Sequence, residues 1–496
     1  MHLGRDPDGS PPGLAPVTVP SESLEPFRDV LEAGDYGRVL RAAEEAQRLL
    51  AGRTIWNVTS TARGGGVAEM LASLLPLARG AGVDARWLVV QAEPDFFRLT
   101  KRIHHRLHGA PGDGGELGAR EHAFYQQVLE PRAARLTSEV GAGDVIILHD
   151  PQTAGLAPTL LRAGATVVWR CHVGVDVPNE LVESAWEFLL PYLEEVHAYV
   201  FTRAAYAGDC LDRARVVVIP PSVDAFSPKN QALAPDQVSG ILAATGLVEG
   251  AGGRVTFARM DGSVGAVTRR TDLCGGVPVP AAAPIVTQIS RWDALKDPLG
   301  VVIGFVQHVA PRFAAHLVVA GPPVKGVSDD PEGPEMLAAV SALWGTLAPD
   351  VRARVHLACL PLDDVEENAA IVNALQRRAS VVVQKSLAEG FGLTVAEAMW
   401  KERAVVASRV GGIQDQIVDG VSGLLVQPTD LAAYGQAVCA VLGDGELAAT
   451  LGQAAHRRCR DEYLGPRHLM RYFALLAVLL SHTAAREEVA PRPGHP

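Results

Sequence analysis

The sequence predicts an α/β protein built from two doubly wound parallel-sheet domains with an inserted β-hairpin. Three observations predict it. Two series of short β-branched apolar runs alternate with helix-length stretches, the rhythm breaks between them at about 229–283, and the 496 residues suit two or three domains at about 150 residues each.

In chain order, residues 1–23 are polar and rich in Pro and Gly, the composition of a disordered leader. The first strand series lies at Thr54–Val58, Arg86–Val90, Val145–Leu148, Thr166–Trp169, Ala198–Phe201 and Val216–Ile219, and defines a first domain at 24–228. Residues 229–283 read as a linker. Within it, the alternating stretch Arg254–Ser263 carries Asp261-Gly262, a hairpin-turn signal. The second series, at Pro284–Gln288, His316–Ala320, Val355–Ala358, Ser380–Val383, Ala404–Ala407 and Gly423–Val426, defines a second domain at 284–468. Parallel strands need crossover helices and two covered faces, so each series implies a sheet between helix layers. A helix follows at 469–485. Its apolar run Phe473–Leu480 is far shorter than the roughly 20 residues that span a bilayer. Residues 486–496 read as a frayed tail.

Composition excludes several classes. With 45 basic against 56 acidic side chains, the net charge is −11, which argues against bulk nucleic-acid binding because a phosphate-neutralising surface is basic. An anionic ligand must then be held by a few placed groups. The six cysteines are scattered, with no two at CxxC spacing, as expected of a reduced cytoplasmic chain. No signal-peptide pattern opens the sequence.

Four constellations carry chemistry. The densest runs from Ser386 to Lys401 after a predicted strand. Gly390 and Gly392 leave the backbone bare, and Thr394–Trp400 reads as a helix whose free N–H groups face that loop, an arrangement suited to a phosphate. Glu397 is placed for ribose hydroxyls and Glu389 for a sugar; alternatively, Glu389 caps a turn and Glu397 is a solvated helix residue. In the second, Gln288–Lys296, Arg291 and Lys296 stand five apart in a strand-to-helix loop and can converge on one diphosphate, or form a surface ion pair. The third, Ser60–Glu69, has consecutive glycines at a strand-to-helix turn, open to a ligand or merely tight. The fourth comprises two strand-end histidines, in His149-Asp150-Pro151-Gln152 and Arg170-Cys171-His172. Neither has metal-ligand spacing. GxGxxG, GxxxxGK[ST] and GxSxG patterns are absent, which removes the main support for dinucleotide redox chemistry, ATP hydrolysis and acyl-enzyme formation.

Together these blocks resemble the retaining nucleotide-sugar glycosyltransferases of family 4, and most closely the trehalose glycosyltransferring synthases among them. The resemblance runs from about Leu49 to Phe473 and is carried by Asn57–Glu69, His149–Gln152, Trp169–His172, Pro220–Asp224, Arg291 with Lys296, and Glu389–Lys401. The chain departs from the family pattern at Ala388, at Val173–Val177 and in the Val255–Asp272 insertion. The resemblance implies the GT-B fold: two Rossmann-like domains, an interdomain cleft, and a last helix that returns to the N-terminal domain. It also implies transfer of glucose from a UDP- or ADP-type donor to free glucose, making trehalose. Arg291, Lys296, Glu389 and His172 would be catalytic. Gly65, Gly66, Gly390, Phe391, Gly392, Leu393, Thr394 and Glu397 would bind the donor, with the diphosphate on Arg291, Lys296 and the backbone of Leu393 and Thr394. Asp150 and His149 would bind the acceptor. No covalent cofactor and no metal would be needed, a homodimer is possible, and nucleic acid and a membrane span are not expected. Alternatives are another acceptor (an aminocyclitol, a natural-product sugar, or a sugar phosphate held by Arg63 and Arg170) or a non-catalytic nucleotide-sugar-binding protein.

Overall fold

The computed structural model describes residues 13–63, 65–250, 252–324 and 332–489. The chain divides into two compact units: one up to Ser222 together with the helix that starts at Gly465, the other Val223–Leu464.

In the first unit the strands are β1 (Leu14–Val17), β2 (Thr54–Thr59), β3 (Asp84–Val90), β4 (Val145–His149), β5 (Thr166–Cys171), β6 (Ala198–Phe201) and β7 (Val216–Val218). Their order is β1-β3-β2-β4-β5-β6-β7, parallel throughout except at β1. The central strands are apolar on both faces because helices cover both; β2, β4, β5 and β6 are buried along their whole length. On one face Trp169, Phe201, Trp186, Phe188 and Tyr125 share a core.

The leader expected at 1–23 is partly structured. Residues 1–12 lie outside the described residues, but Leu14–Val17 adds an antiparallel edge strand to β3. Its Pro16 is tolerated because an edge strand can spare one N–H, and Leu14 is buried in the core. The C-terminal helix spans Gly465–Val489 and packs on helices Ala33–Leu49 and Gly66–Gly80, with Arg467 paired to Asp35 at 2.6 Å. The tail expected from residue 486 therefore falls partly in this helix, and beyond Val489 it lies outside the described residues.

The second unit holds β8 (Thr256–Ala258), β9 (Val264–Ala266), β10 (Asp272–Leu273), β11 (Ile285–Ile289), β12 (His316–Gly321), β13 (Val355–Cys359), β14 (Val381–Gln384), β15 (Val405–Ser408) and β16 (Leu424–Val426). Its main sheet runs β10-β13-β12-β11-β14-β15-β16, again parallel apart from the antiparallel β10 at the edge. Alternate residues feed two cores: Leu317 and Val319 point into one, Val318 and Ala320 into the other.

The hairpin forms as expected, β8 against β9, with Gly262 in its turn at φ 80°. The segment around it is not a free linker. Leu247, Phe257, Val267 and Val279 pack with Ile285, Val318 and Leu375, so residues 229–283 belong to the second unit's core. A buried carboxylate pins the far side of the hairpin. Glu367 accepts hydrogen bonds from the Thr268 N–H at 2.6 Å and the Arg269 N–H at 2.8 Å, and is paired with the Arg269 guanidinium. Glu367→Ala leaves these donors without their acceptor, so unfolding in urea should show a loss of about 2–4 kcal/mol.

Candidate active site

In a doubly wound sheet ligands bind at the carboxyl ends of the strands, where the strand order reverses. In the second unit that point is β11, flanked by β12 on one side and β14 on the other. Two loops leave it. The one after β11 contains Arg291 and a single turn of 3-10 helix, Ala294–Lys296. The one after β14 runs through Glu389 and the glycines into the helix Leu393–Trp400.

The structure brings Lys296 and Glu389 together. The ammonium lies 2.5 Å from the carboxylate, and both side chains are mostly buried. Ser386 also donates to Glu389 at 3.3 Å. Arg291 is not in this contact. Its guanidinium is largely exposed and pairs with Asp293 at 3.0 Å.

Beside the pair, the helix Leu393–Trp400 starts with no side-chain cap. Gly392 precedes it at φ 87°, a left-handed conformation that side chains rarely adopt. The first N–H groups, including those of Leu393 and Thr394, thus form an anion-receptive turn. Phe391 is anchored behind it: its carbonyl accepts from Gln416 and its ring meets Tyr463 at 5.6 Å. A Cβ on Gly412 would come within 2.9 Å of the Gly390 carbonyl, so that backbone-to-backbone approach requires glycine.

Glu397, one turn into the helix, is buried. It is no solvated helix residue, because Lys229 lies 3.6 Å from its carboxylate. Lys401 sits beneath, donating to Asn230 at 2.8 Å and to the Glu397 carbonyl at 3.1 Å. Burial lowers the Lys401 ammonium to about 7.

The first unit has its own strand-end cluster. Gly65 at φ 86° opens the helix Gly66–Gly80, which likewise has no side-chain cap; Gly64 is outside the described residues. His149 and His172 stack with ring planes 8° apart and nitrogens at 3.0 Å. The other nitrogen of His149 faces Asn57 Oδ1 at 3.2 Å. Asp150 has φ 63°, and its carboxylate accepts the His172 backbone N–H at 2.8 Å. Burial raises the Asp150 carboxyl to about 6, against the pull of that N–H and of Arg170. Burial, helped by Arg170, lowers His149 to about 3 and His172 well below the usual range. Arg170 itself is fully buried and donates to the Ile219 carbonyl at 2.5 Å. Its Nε and Nη2 have no hydrogen-bond partner among the described residues, and Arg63, the other arginine considered for a sugar phosphate, is exposed.

Sequence reasoning missed Lys229 and Asn57 as partners of Glu397 and His149. Both stand inside or beside quoted blocks, but contacts at sequence separations of 168 and 92 residues leave no local pattern. Among the described residues no group of three or more His, Cys, Asp or Glu is placed to hold a metal, and no helix is long and apolar enough to cross a membrane.

Comparisons with known proteins agree with this architecture. Solved structures share the fold: OtsA in its apo form has a TM-score of 0.63 at 12% identity over 86% of this chain and 99% of that one. The α,α-trehalose 6-phosphate synthase of Burkholderia multivorans has 0.59 at 15% identity, over 90% and 99%. Residues 366–458 match the family model "Glycosyl transferases group 1", and 57–208 match "Trehalose synthase, N-terminal domain". The fold and these matches define a glycosyltransferase of GT-B architecture. Trehalose synthase of Rubrobacter xylanophilus is 33% identical over 94% of this chain and 99% of its own length, and that of Pyrococcus horikoshii 31% over 91% and 95%. The chain belongs to the trehalose synthase family.

The strand-end histidines make stability pH-dependent. His149 titrates at about 3 when folded and near 6.5 when free, so between these values the unfolded chain binds a proton that the folded chain does not. Its contribution is whole above about pH 6.5 and is lost as pH falls toward 3, by up to about 1.4 kcal/mol per unit. Urea unfolding at stepped pH should show this limb in the wild type and a shallower one in His149→Gln, where His172 and the other buried histidines still titrate.

Proposed function

We propose that this enzyme transfers glucose from a UDP- or ADP-type nucleoside-diphosphate glucose to free glucose, forming trehalose with retention at the anomeric carbon. The observation that carries the reading is the Lys296–Glu389 pair beside the uncapped start of helix Leu393–Trp400. It is supported by trehalose synthase relatives that span nearly the whole chain.

The leaving diphosphate gathers negative charge in the transition state. Lys296, Arg291 and the N–H groups of Leu393 and Thr394 stabilise it, because preorganised donors aimed at developing charge lower the barrier directly. When the diphosphate takes the Lys296 ammonium, the Glu389 carboxylate is released to hold sugar hydroxyls. Glu397 holds the ribose, with Gly390, Phe391 and Gly392 shaping the loop. Gly65 and Gly66 add backbone donors, His172 meets the donor sugar, and Asp150 with His149 holds the acceptor. The acceptor hydroxyl attacks on the face the diphosphate leaves and passes its proton toward the departing phosphate oxygen, while the sugar goes through an oxocarbenium-like state. A carboxylate nucleophile of the retaining-hydrolase kind is disfavoured, since Glu389 is engaged by a cation and a hydroxyl.

A second reading is phosphorolysis, because trehalose phosphorylase of Grifola frondosa is 26% identical over 92% of this chain, though over only 61% of its own length. A donor-by-acceptor screen read by mass spectrometry separates them. Free glucose should yield a non-reducing disaccharide with an α linkage by proton NMR. Glucose 1-phosphate formed from trehalose and inorganic phosphate, or a β linkage, would overturn the proposal.

Lys296→Ala should lower turnover about 10²–10³-fold, the loss expected for one preorganised donor; steady-state kinetics with saturating donor measures it. For the acceptor, Asp150 accepts hydrogen bonds best as the carboxylate. With its carboxyl raised to about 6, kcat/KM for the acceptor should climb through that pH and level above it, and the climb should vanish in Asp150→Asn.

A further inference from the structure

We infer that Lys385 and Asp297 form a buried ion pair whose task is to position Lys296, the cation assigned above to the donor diphosphate. The inference rests on that assignment. Lys385 is 1% exposed, and its ammonium has two acceptors, the Asp297 carboxylate and the Pro428 carbonyl at 2.7 Å. Asp297 directly follows Lys296 and adopts φ 47°, ψ 50°, a left-handed conformation that costs a non-glycine residue energy and persists only when its surroundings hold it. Its other carboxylate oxygen caps the next helix, Pro298–Gly304, through the Gly300 N–H at 2.9 Å.

Gln288, fully buried, closes the arrangement. The Gln288 amide donates to the Lys296 carbonyl at 2.7 Å and accepts from the Lys385 N–H at 2.9 Å. The backbone of Lys296 and the residue after it are therefore both tied to Lys385. Ser386, the next residue, holds the carboxylate that Lys296 touches. One short stretch after β14 thus grips the main chain of Lys296 and the partner of its side chain.

A buried ion pair is weak evidence for stability, since apolar or neutral replacements of similar shape are often as stable. Its direction here, from the floor of one loop to the root of the other, fits placement of the ammonium. A displacement of about 1 Å can cost about 10²-fold in rate.

The neutral double variant Lys385→Met/Asp297→Asn tests this. Asn retains the left-handed turn and the cap. Melting should stay within a few degrees of wild type, while kcat/KM for the donor falls about 10²-fold. A merely structural pair would lower activity by the same factor in any background. A positioning pair loses its effect once Lys296 is gone, so in Lys296→Ala the same double change should cost less than about 3-fold. Wild-type turnover in the folded double variant, or an undiminished loss in the Lys296→Ala background, overturns the inference. Full activity of Lys296→Ala alone refutes the diphosphate assignment instead, and the inference with it. Should the double variant fail to fold, Lys385→Met alone, which leaves only the part-exposed Asp297 carboxylate still accepting the Gly300 N–H, undergoes the same two-background comparison.

Discussion

The site depends on two opposite charges held against one another at the carboxyl ends of β11 and β14. Lys296 and Glu389 come from loops 93 residues apart, yet lie 2.5 Å apart and mostly buried. Neither charge would be tolerated alone at that depth, because an isolated buried ion carries a desolvation cost of several kcal/mol. The pair therefore fixes both loops in the absence of a ligand. Under the proposed function, the same pair offers its cation to the diphosphate and its anion to sugar hydroxyls.

Everything nearby serves to place those loops. The parallel sheet brings the two strand ends side by side, the left-handed Gly392 lets the chain turn into an uncapped helix, and Gln416 ties down the Phe391 carbonyl. The same logic recurs in the first unit on a smaller scale. There His149, Asn57 and His172 form a chain of ring and amide contacts, and Asp150 is held by the main chain of His172.

Much of the fold was legible in the sequence because parallel strands buried on both faces leave unbroken β-branched runs, as at Val145–His149 and Val381–Gln384. Strand β1 was not, since Leu14-Ala15-Pro16-Val17 has the composition of a leader and becomes a strand only by pairing with β3. The 229–283 segment resembles a linker in sequence for a similar reason: its apolar residues are spaced irregularly and show their purpose only against Val318 and Leu375. At the site, Glu389, Lys296 and Glu397 stand out because glycines and a helix start lie beside them. Lys385 did not, because a lysine at a strand end usually reads as a solvent-facing charge, and its burial depends on Asp297 and Pro428 far along the chain.

Two of the four edge strands of the main sheets have a consequence for association. An open sheet edge offers a row of unpaired backbone groups on which another chain can template. On the β3 side of the first sheet that edge is β1, where Pro16 lacks the N–H a growing ladder needs. On the β13 side of the second it is β10, only two residues long. A second molecule thus finds no continuous ladder to extend on either of these two sides, which leaves β7 and β16 as the edges open to pairing.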